Sequence, residues 1–365
     1  MTHGPRFPDL IARLPATVPF VGPEEQERAS GHVFRARLGA NESVFGPSPK
    51  AITALQAADQ EIWKYADPSH FELKTELSKR LGCGHGNIVF GEGIDGCLGY
   101  LVRLLVEPGD AVVTSDGAYP TFSYHVNAYG GVLHKVPYRD DAEDIAALFA
   151  KAAEVDAKIV YLANPDNPMG SWIDGATIEA ALDDLPEGTV LALDEAYIEF
   201  APEGTAPKID PEDPRVIRFR TFSKAYGLAG VRVGYGIACT ADLAAQMMKA
   251  RNPFGVNALA VAAARAALRD PGHLALSVGL AAEGRAHLTR HLSDAGFACA
   301  PSQTNFVFFD TGQTATDFAE ALRHKGILIK PWLEEPYTSW ARVTVGTAEE
   351  NRYFLEAVEA MRCPA

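Results

Sequence analysis

A chain of 365 residues is longer than one hydrophobic core ordinarily serves, so roughly two domains with a cleft between them are expected. Its 47% apolar and 22% charged residues are the balance of a globular protein, which excludes a disordered chain. The formal net charge of −14 excludes a sequence-independent grip on a nucleic-acid backbone, which needs a basic face; an anionic small molecule would have to be met by local cations.

Residues 1–40 are rich in proline and lack periodicity, which predicts an arm lying over another part of the molecule or over a partner subunit. They contain no apolar signal-like run, and no stretch of the chain has the length of a membrane span, so the expected location is the cytoplasm, with no membrane partner. Cys83, Cys97, Cys239, Cys299 and Cys363 are odd in number and form no C-x-x-C pair; neither a disulfide framework nor a metal site is expected. From Asn41 onward, short apolar runs at 87–90, 111–114, 158–162, 190–193, 216–219 and 231–237 alternate with helical patterns. Runs that are apolar throughout belong in a sheet covered on both faces, and the helices between them supply parallel crossovers.

After residues 251–255 (RNPFG) the pattern changes to an alanine-rich helix over 257–268 and a long helix over 274–295. Short strands then follow at 304–309, 327–330 and 341–345, mixed with two helices. The predicted organisation is therefore an arm (1–40), a large α/β domain with a mainly parallel central sheet (41–253) and a smaller α+β domain (254–365).

Chemistry concentrates in the turns after the apolar runs. In residues 220–234, RTFSKAYGLAGVRVG, Lys224 stands in a turn rich in Gly and Ala. Desolvation there would lower its pKa and make the neutral amine a nucleophile toward carbonyls, although the usual fate of a lysine in a loop is to be solvated. Thr221, Ser223 and Arg232 add two hydroxyls and a guanidinium, a set suited to a phosphate dianion. Residues 190–197, VLALDEAY, end a strand on Asp194, which suits a cationic ring nitrogen, a helix cap or a metal, with Tyr197 three positions on. NPDNPMG at 164–170 offers Asn167 as a hydrogen-bonding group within an ordinary turn composition. GEGIDG at 91–96 lies between a strand and a helix, where unpaired N–H groups bind anions. It also fits G-x-G-x-x-G with Asp116 about twenty residues on, so a nicotinamide-linked oxidoreductase is the alternative reading of that one segment.

Taken together, RLGANES (37–43), GEGIDG, NPDNPMG, VLALDEAY, SKAYGLAGVRVGY (223–235) and RVTVGTAEEN (342–351) resemble the fold-type I aminotransferases that use pyridoxal 5′-phosphate (PLP). Within class I/II the similarity is to the histidinol-phosphate aminotransferase-like branch, and it covers nearly the whole chain. The resemblance implies a cytoplasmic homodimer acting on small amino and keto acids, with Lys224 as the Schiff-base lysine and acid/base and Asp194 as partner of the ring nitrogen. It further implies that Tyr197 and Asn167 donate to the ring oxygen, that Tyr119 stacks on the ring, and that Thr221, Ser223, Arg232 and the backbone of Gly93, Ile94 and Asp95 form the phosphate cup. Tyr65, in KYADP (64–68), matches the tyrosine that reaches the neighbouring subunit's cofactor. Arg342 matches the receiver of a substrate carboxylate or equivalent anion, and Asn41 borders the substrate.

Two departures bear on the substrate. Lys330 stands where this branch usually has Arg, exchanging a planar fork for a point charge, and Phe20 stands where a tyrosine often reaches in from the partner's arm. The phosphate loop also carries Glu92, Ile94 and Gly96 where Asn, Ser and Glu are common. The expected reaction is transamination of histidinol phosphate with 2-oxoglutarate as acceptor. Aromatic or other amino-acid transamination and decarboxylation of a phospho-amino acid are the alternatives within the family.

Overall fold

A computed structural model describes residues 4–14, 21–210, 212–238 and 240–362. Its strands are β1 (Ala36–Arg37), β2 (Ile88–Gly91), β3 (Ala111–Ser115), β4 (Val132–Val136), β5 (Ile159–Ala163), β6 (Val190–Asp194), β7 (Val216–Thr221), β8 (Gly234–Ala238), β9 (Phe306–Asp310), β10 (Ile327–Leu328), β11 (Lys330–Pro331) and β12 (Trp340–Thr344). A seven-stranded sheet runs in the order β2-β8-β7-β6-β5-β3-β4, with β8 antiparallel to both its neighbours and every other pair parallel. This is the mainly parallel α/β sheet of the sequence reading.

The apolar runs work as that reading requires, because successive side chains face opposite ways along a strand. Ile159 and Tyr161 join Ala192, Ile217 and Phe219 on one face, packed under Leu98, Leu101 and Val102 of helix Gly93–Leu105. Val160, Leu162, Leu191 and Leu193 face the other way, toward Leu148 and Phe149 of helix Ile145–Val155. Each large apolar side chain so buried contributes about 1.5–3 kcal/mol, an upper figure given a compact unfolded state.

The sheet also has a switch of direction. The chain steps from β3 outward to β4, then crosses back over β3 to β5 and proceeds to β6 and β7. Pairing of β3 with β5 ends at Val113↔Val160, while β3 stays with β4 to Ser115↔Val136 and β5 stays with β6 to Ala163↔Asp194. The carboxyl ends of β3 and β5 therefore part, and such a split is where α/β sheets receive ligands.

A second core forms around the antiparallel sheet β11-β12-β9 and the parallel pair β1-β10, with Phe309, Phe318, Val343 and Phe354 at its centre. The strand expected over 327–330 is two strands here, one turned to β1 and one to β12. Pro331, lacking an N–H, suits the short edge strand that results. Packing crosses the expected boundaries at two places. Ala36 and Leu38, read as part of the arm, are buried in this second core. Helix Ala258–Leu268, read as part of the smaller domain, lays Ala260, Ala263, Ala264 and Ala267 into the cluster that holds Ala51, Leu73, Ile88 and Tyr235 beside the large sheet, since alanines let helices approach closely.

Candidate active site

Strand β6 delivers Asp194 to the carboxyl edge of the sheet, where the side chain is buried. Its Oδ2 accepts a 2.7 Å hydrogen bond from the Tyr161 hydroxyl, and its Oδ1 accepts from the Ala196 N–H at 2.9 Å. Burial outweighs both bonds and pushes the carboxyl up to about 6. Asp194 forms no ion pair among the described residues, so it is an acid placed to gain from an incoming cation. Tyr197, just past the same strand, is also buried, and its hydroxyl accepts from Asn41 Nδ2 at 2.8 Å.

Lys224 follows β7 in a turn closed by the Gly227 N–H on the Lys224 carbonyl at 3.0 Å. Gly227 has φ 66°, and a Cβ there would lie 2.4 Å from the Gly46 carbonyl oxygen, so the turn needs glycine. The Lys224 amine sits 5.7 Å from the centre of the Tyr197 ring, donates to the Ala40 carbonyl at 3.4 Å and forms no ion pair among the described residues. Burial, with the Arg342 guanidinium nearby, pulls it down to about 8.

An anion cradle adjoins it. Helix Gly93–Leu105 starts with Gly93 at φ 78°, and its first N–H groups have no partners within the helix. A Cβ on Gly93 would stand 2.3 Å from Arg232 Nη2, so only glycine lets the guanidinium lie across the helix start. Arg232 donates to the Glu92 carbonyl at 3.0 Å and to Ser223 Oγ at 3.4 Å, and Thr221 Oγ1 donates to Ser223 Oγ at 3.0 Å. Arg232 itself has φ 58° and caps the turn Ala229–Val231, so the strand expected from 231 begins only at Gly234. The left-handed residue aims the guanidinium at the cradle, which a continuous strand would not do.

The opposite wall comes from the second core. Arg342 on β12 is buried, donates to Asn167 Oδ1 and to the Gly39 carbonyl at 3.0 Å, and lies 5.3 Å from the Phe306 ring centre. It has no carboxylate partner among the described residues, and its Nε has no hydrogen-bond partner. Lys330 faces Arg342 across β11 and β12, is half-buried, and is pulled down by burial and by Arg342. It lines a cavity of about 430 Å³ with Arg37, Gly39, Ala40, Glu42 and Arg323.

The structure thus brings Asn41, Tyr197 and Lys224 together, joins Asn167 to Arg342, and gathers Thr221, Ser223, Arg232 and Gly93, with Ile94 and Asp95 in the next positions of the helix. Tyr119, half-buried, precedes helix Pro120–Ala128 at the end of β3, where burial pushes its phenol up. Tyr65 is not among them: it is 80% exposed and stacks on Phe254 at 4.5 Å. Phe20 lies outside the described residues.

Sequence reasoning missed Tyr161, Thr344 and Asn305. Thr344 accepts from the Asn41 N–H at 3.0 Å, and Asn305 donates to the Asn41 carbonyl at 3.1 Å; together they hold Asn41 at φ 55°. Tyr161 had a signal, since a tyrosine in a fully apolar strand must find a partner for its hydroxyl.

The family model for aminotransferases of class I and II matches residues 36–358. Histidinol-phosphate aminotransferase 1 of Mesorhizobium japonicum is 37% identical over 331 residues, covering 89% of this chain and 90% of that protein. Histidinol-phosphate aminotransferase 1 of Nitrosococcus oceani is 38% identical over 341 residues, covering 93% of this chain and 92% of that protein. The crystal structure of histidinol-phosphate aminotransferase from Sinorhizobium meliloti in complex with pyridoxal-5′-phosphate matches with a TM-score of 0.92 at 44% identity over 99% of each chain. The family model and the structural match span the site from Asn41 to Arg342, and the chain belongs to the class I and II aminotransferases.

Proposed function

We propose that this chain is a PLP-dependent aminotransferase whose amino donor is histidinol phosphate and whose acceptor is 2-oxoglutarate. The observation that carries the reading is the Lys224 amine, drawn down to about 8 and without an ion pair among the described residues, in a site that also holds buried Asp194, likewise unpaired among them, and a guanidinium-capped helix start. These residues fit PLP group by group. The N–H groups at the helix start of Gly93, Ile94 and Asp95, with Thr221, Ser223 and the Arg232 guanidinium that Gly93 lets lie across them, suit the phosphate. Asp194 suits the ring nitrogen, Asn167 and Tyr197 the ring oxygen, Tyr119 a ring face, and Lys224 the aldehyde.

When bound, the cofactor supplies a carbonyl that takes up the amino group and a ring that withdraws electrons from the substrate α-carbon. Asp194 holds a proton on the ring nitrogen, and a cation there favours its ionised form. Lys224 removes and returns the α-proton, a task suited to an amine titrating close to neutral pH. Arg342 takes the donor's anion or the acceptor's carboxylate by exchanging its bonds to Asn167 and Gly39, and Lys330, opposite it across β11 and β12, adds a point charge. A second reading, an aromatic amino-acid donor, is favoured by the apolar side of the cavity, formed by Val21, Leu328, Ile329 and Leu333.

Two measurements test this. Borohydride reduction of PLP-loaded protein followed by peptide mass spectrometry should place the adduct on Lys224; an adduct elsewhere, or none, refutes the site. A panel of amino donors, read by loss of the cofactor's aldehyde absorbance, should show histidinol phosphate reacting fastest, and an aromatic donor in its place selects the second reading.

The same reading includes a cytoplasmic homodimer in which Tyr65 serves the partner's phosphate site, and two working units with an arm. Exposed Ile62, Trp63, Tyr65, Phe71 and Phe254 support the dimer as an apolar surface of the kind that subunits cover. Sedimentation of the holoenzyme tests it. Among the described residues no helix is long and apolar enough to cross a membrane.

A further inference from the structure

Glu143 has no part in the chemistry above, yet it is a buried acid in the split between β3 and β5. It is 6% exposed, and its Oε2 accepts a 2.8 Å hydrogen bond from the Ala163 N–H. Ala163 is the last residue of β5, beyond the point where β3 stops pairing, so its N–H has lost the strand neighbour that Ile159 and Val160 keep. The next segment is the NPDNPMG turn. Asp166 closes it by accepting from the Met169 N–H at 2.9 Å and the Tyr138 hydroxyl at 3.1 Å, and Asn167 projects from it to Arg342.

We propose that Glu143 is a positioning residue: lodged in the split of the sheet, its carboxyl replaces the missing strand neighbour of Ala163 and fixes the turn that presents Asn167 to Arg342 and to the cofactor ring. The inference rests on the functional reading for what Asn167 and Arg342 do, and on the fold for the rest.

The surroundings of Glu143 favour its uncharged form. The groups facing it are Ser115 from the end of β3, Tyr138 from the segment after β4, Tyr161 from β5, Asp166 from the turn and Asp194 from β6, and none is a cation. The Arg342 guanidinium acts on this cluster through Asp166. Burial and the charge on Asp166 both push Glu143 well above the usual carboxylate range. Glu143 Oε1 and Ser115 Oγ are each buried without a hydrogen bond, an arrangement in which a proton costs less than a charge.

The sign of the pH effect follows. Unfolded, the carboxyl releases its proton in the ordinary carboxylate range; folded, it keeps it, so stability falls as pH rises through the interval between the two. The test uses the full chain loaded with PLP. Glu143→Gln offers Ala163 the same acceptor without a titrating group. It should lessen the fall in Tm as pH rises above the ordinary carboxylate range. It should also leave the visible circular dichroism of the bound cofactor unchanged and keep kcat and KM within about twofold at neutral pH.

Glu143→Ala leaves the Ala163 N–H without a partner. It should alter the cofactor dichroism and raise the donor KM about tenfold with a smaller change in kcat, and the Gln variant should rescue both. A Gln variant with the wild-type slope of Tm against pH, or with cofactor dichroism and KM as disturbed as those of the Ala variant, overturns the proposal, as does an Ala variant that leaves both untouched. Should the Ala variant fail to fold, the Gln slope and dichroism decide alone. Both are read without turnover, so they stand even if no donor reacts and the functional reading fails.

Discussion

Asp194 and Glu195 are adjacent carboxylates at the end of one strand, both buried, and the protein treats them in opposite ways. Glu195 faces away from the site and is held by Arg218 at 2.7 Å and by Arg220 at 2.7 Å. The two guanidiniums overcome its burial and hold it below the usual carboxylate range. Asp194 is given a tyrosine hydroxyl and one backbone N–H instead, and burial wins, pushing it up to about 6. Glu195, whose counterions come from the fold, serves the fold; at Asp194, at the carboxyl edge of the sheet, the withheld counterion suits a ligand.

Substitutions can break this contrast. The largest effect is expected from Asp194→Asn in the loaded enzyme: kcat should drop by about 10³-fold, roughly 4 kcal/mol, with the fold intact by circular dichroism. Next comes Glu195→Ala, which leaves Arg218 and Arg220 without their shared partner. Chemical denaturation should show a loss of about 3–5 kcal/mol, while the folded fraction keeps most of its turnover.

Removing the cofactor reverses the role of Asp194. Its folded pKa of about 6 lies above the 3.8 of an unperturbed aspartate, so the apo fold loses stability as pH rises between those values. Apo Asp194→Asn should therefore be more stable than the apo wild type at pH 7 by up to about 3 kcal/mol, a gain that vanishes below about pH 4 and that PLP binding cancels. Denaturation curves of apo and loaded protein at the two pH values measure it. The smallest effect belongs to Tyr161→Phe. Loss of one hydrogen bond should cost about 1 kcal/mol and let Asp194 rise further, seen as a shift in the pH dependence of cofactor affinity.

The residues legible in the sequence share a property: Lys224, Asp194, Asn167 and Gly93 all sit at or just past the ends of apolar strands, so one local pattern gives both the fold and the candidate chemistry. What was not legible depends on partners far along the chain. Arg342 was visible as a residue, but not its bond to Asn167 across two sheets. The Thr344 and Asn305 clamp on Asn41 joins segments that nothing local connects. Glu143 stands in the polar run YRDDAED (138–144), which reads as solvated surface until the split between β3 and β5 draws it inside. Tyr65 is a different case, since its expected role needs a second subunit. The division of 327–331 into two strands followed from competition between β1 and β12 for the same short stretch, and β1 is a pair of residues that the proline-rich start concealed.

That short pairing of Ala36 and Arg37 with β10 has a mechanical consequence. The chain leaving it passes straight through the site, where the adjacent carbonyls of Gly39 and Ala40 are taken by Arg342 and Lys224. The guanidinium that is open to an anion and the amine that is open to a carbonyl are thus tethered to one peptide unit, and the two-stranded pairing with β10 anchors that unit at its near end.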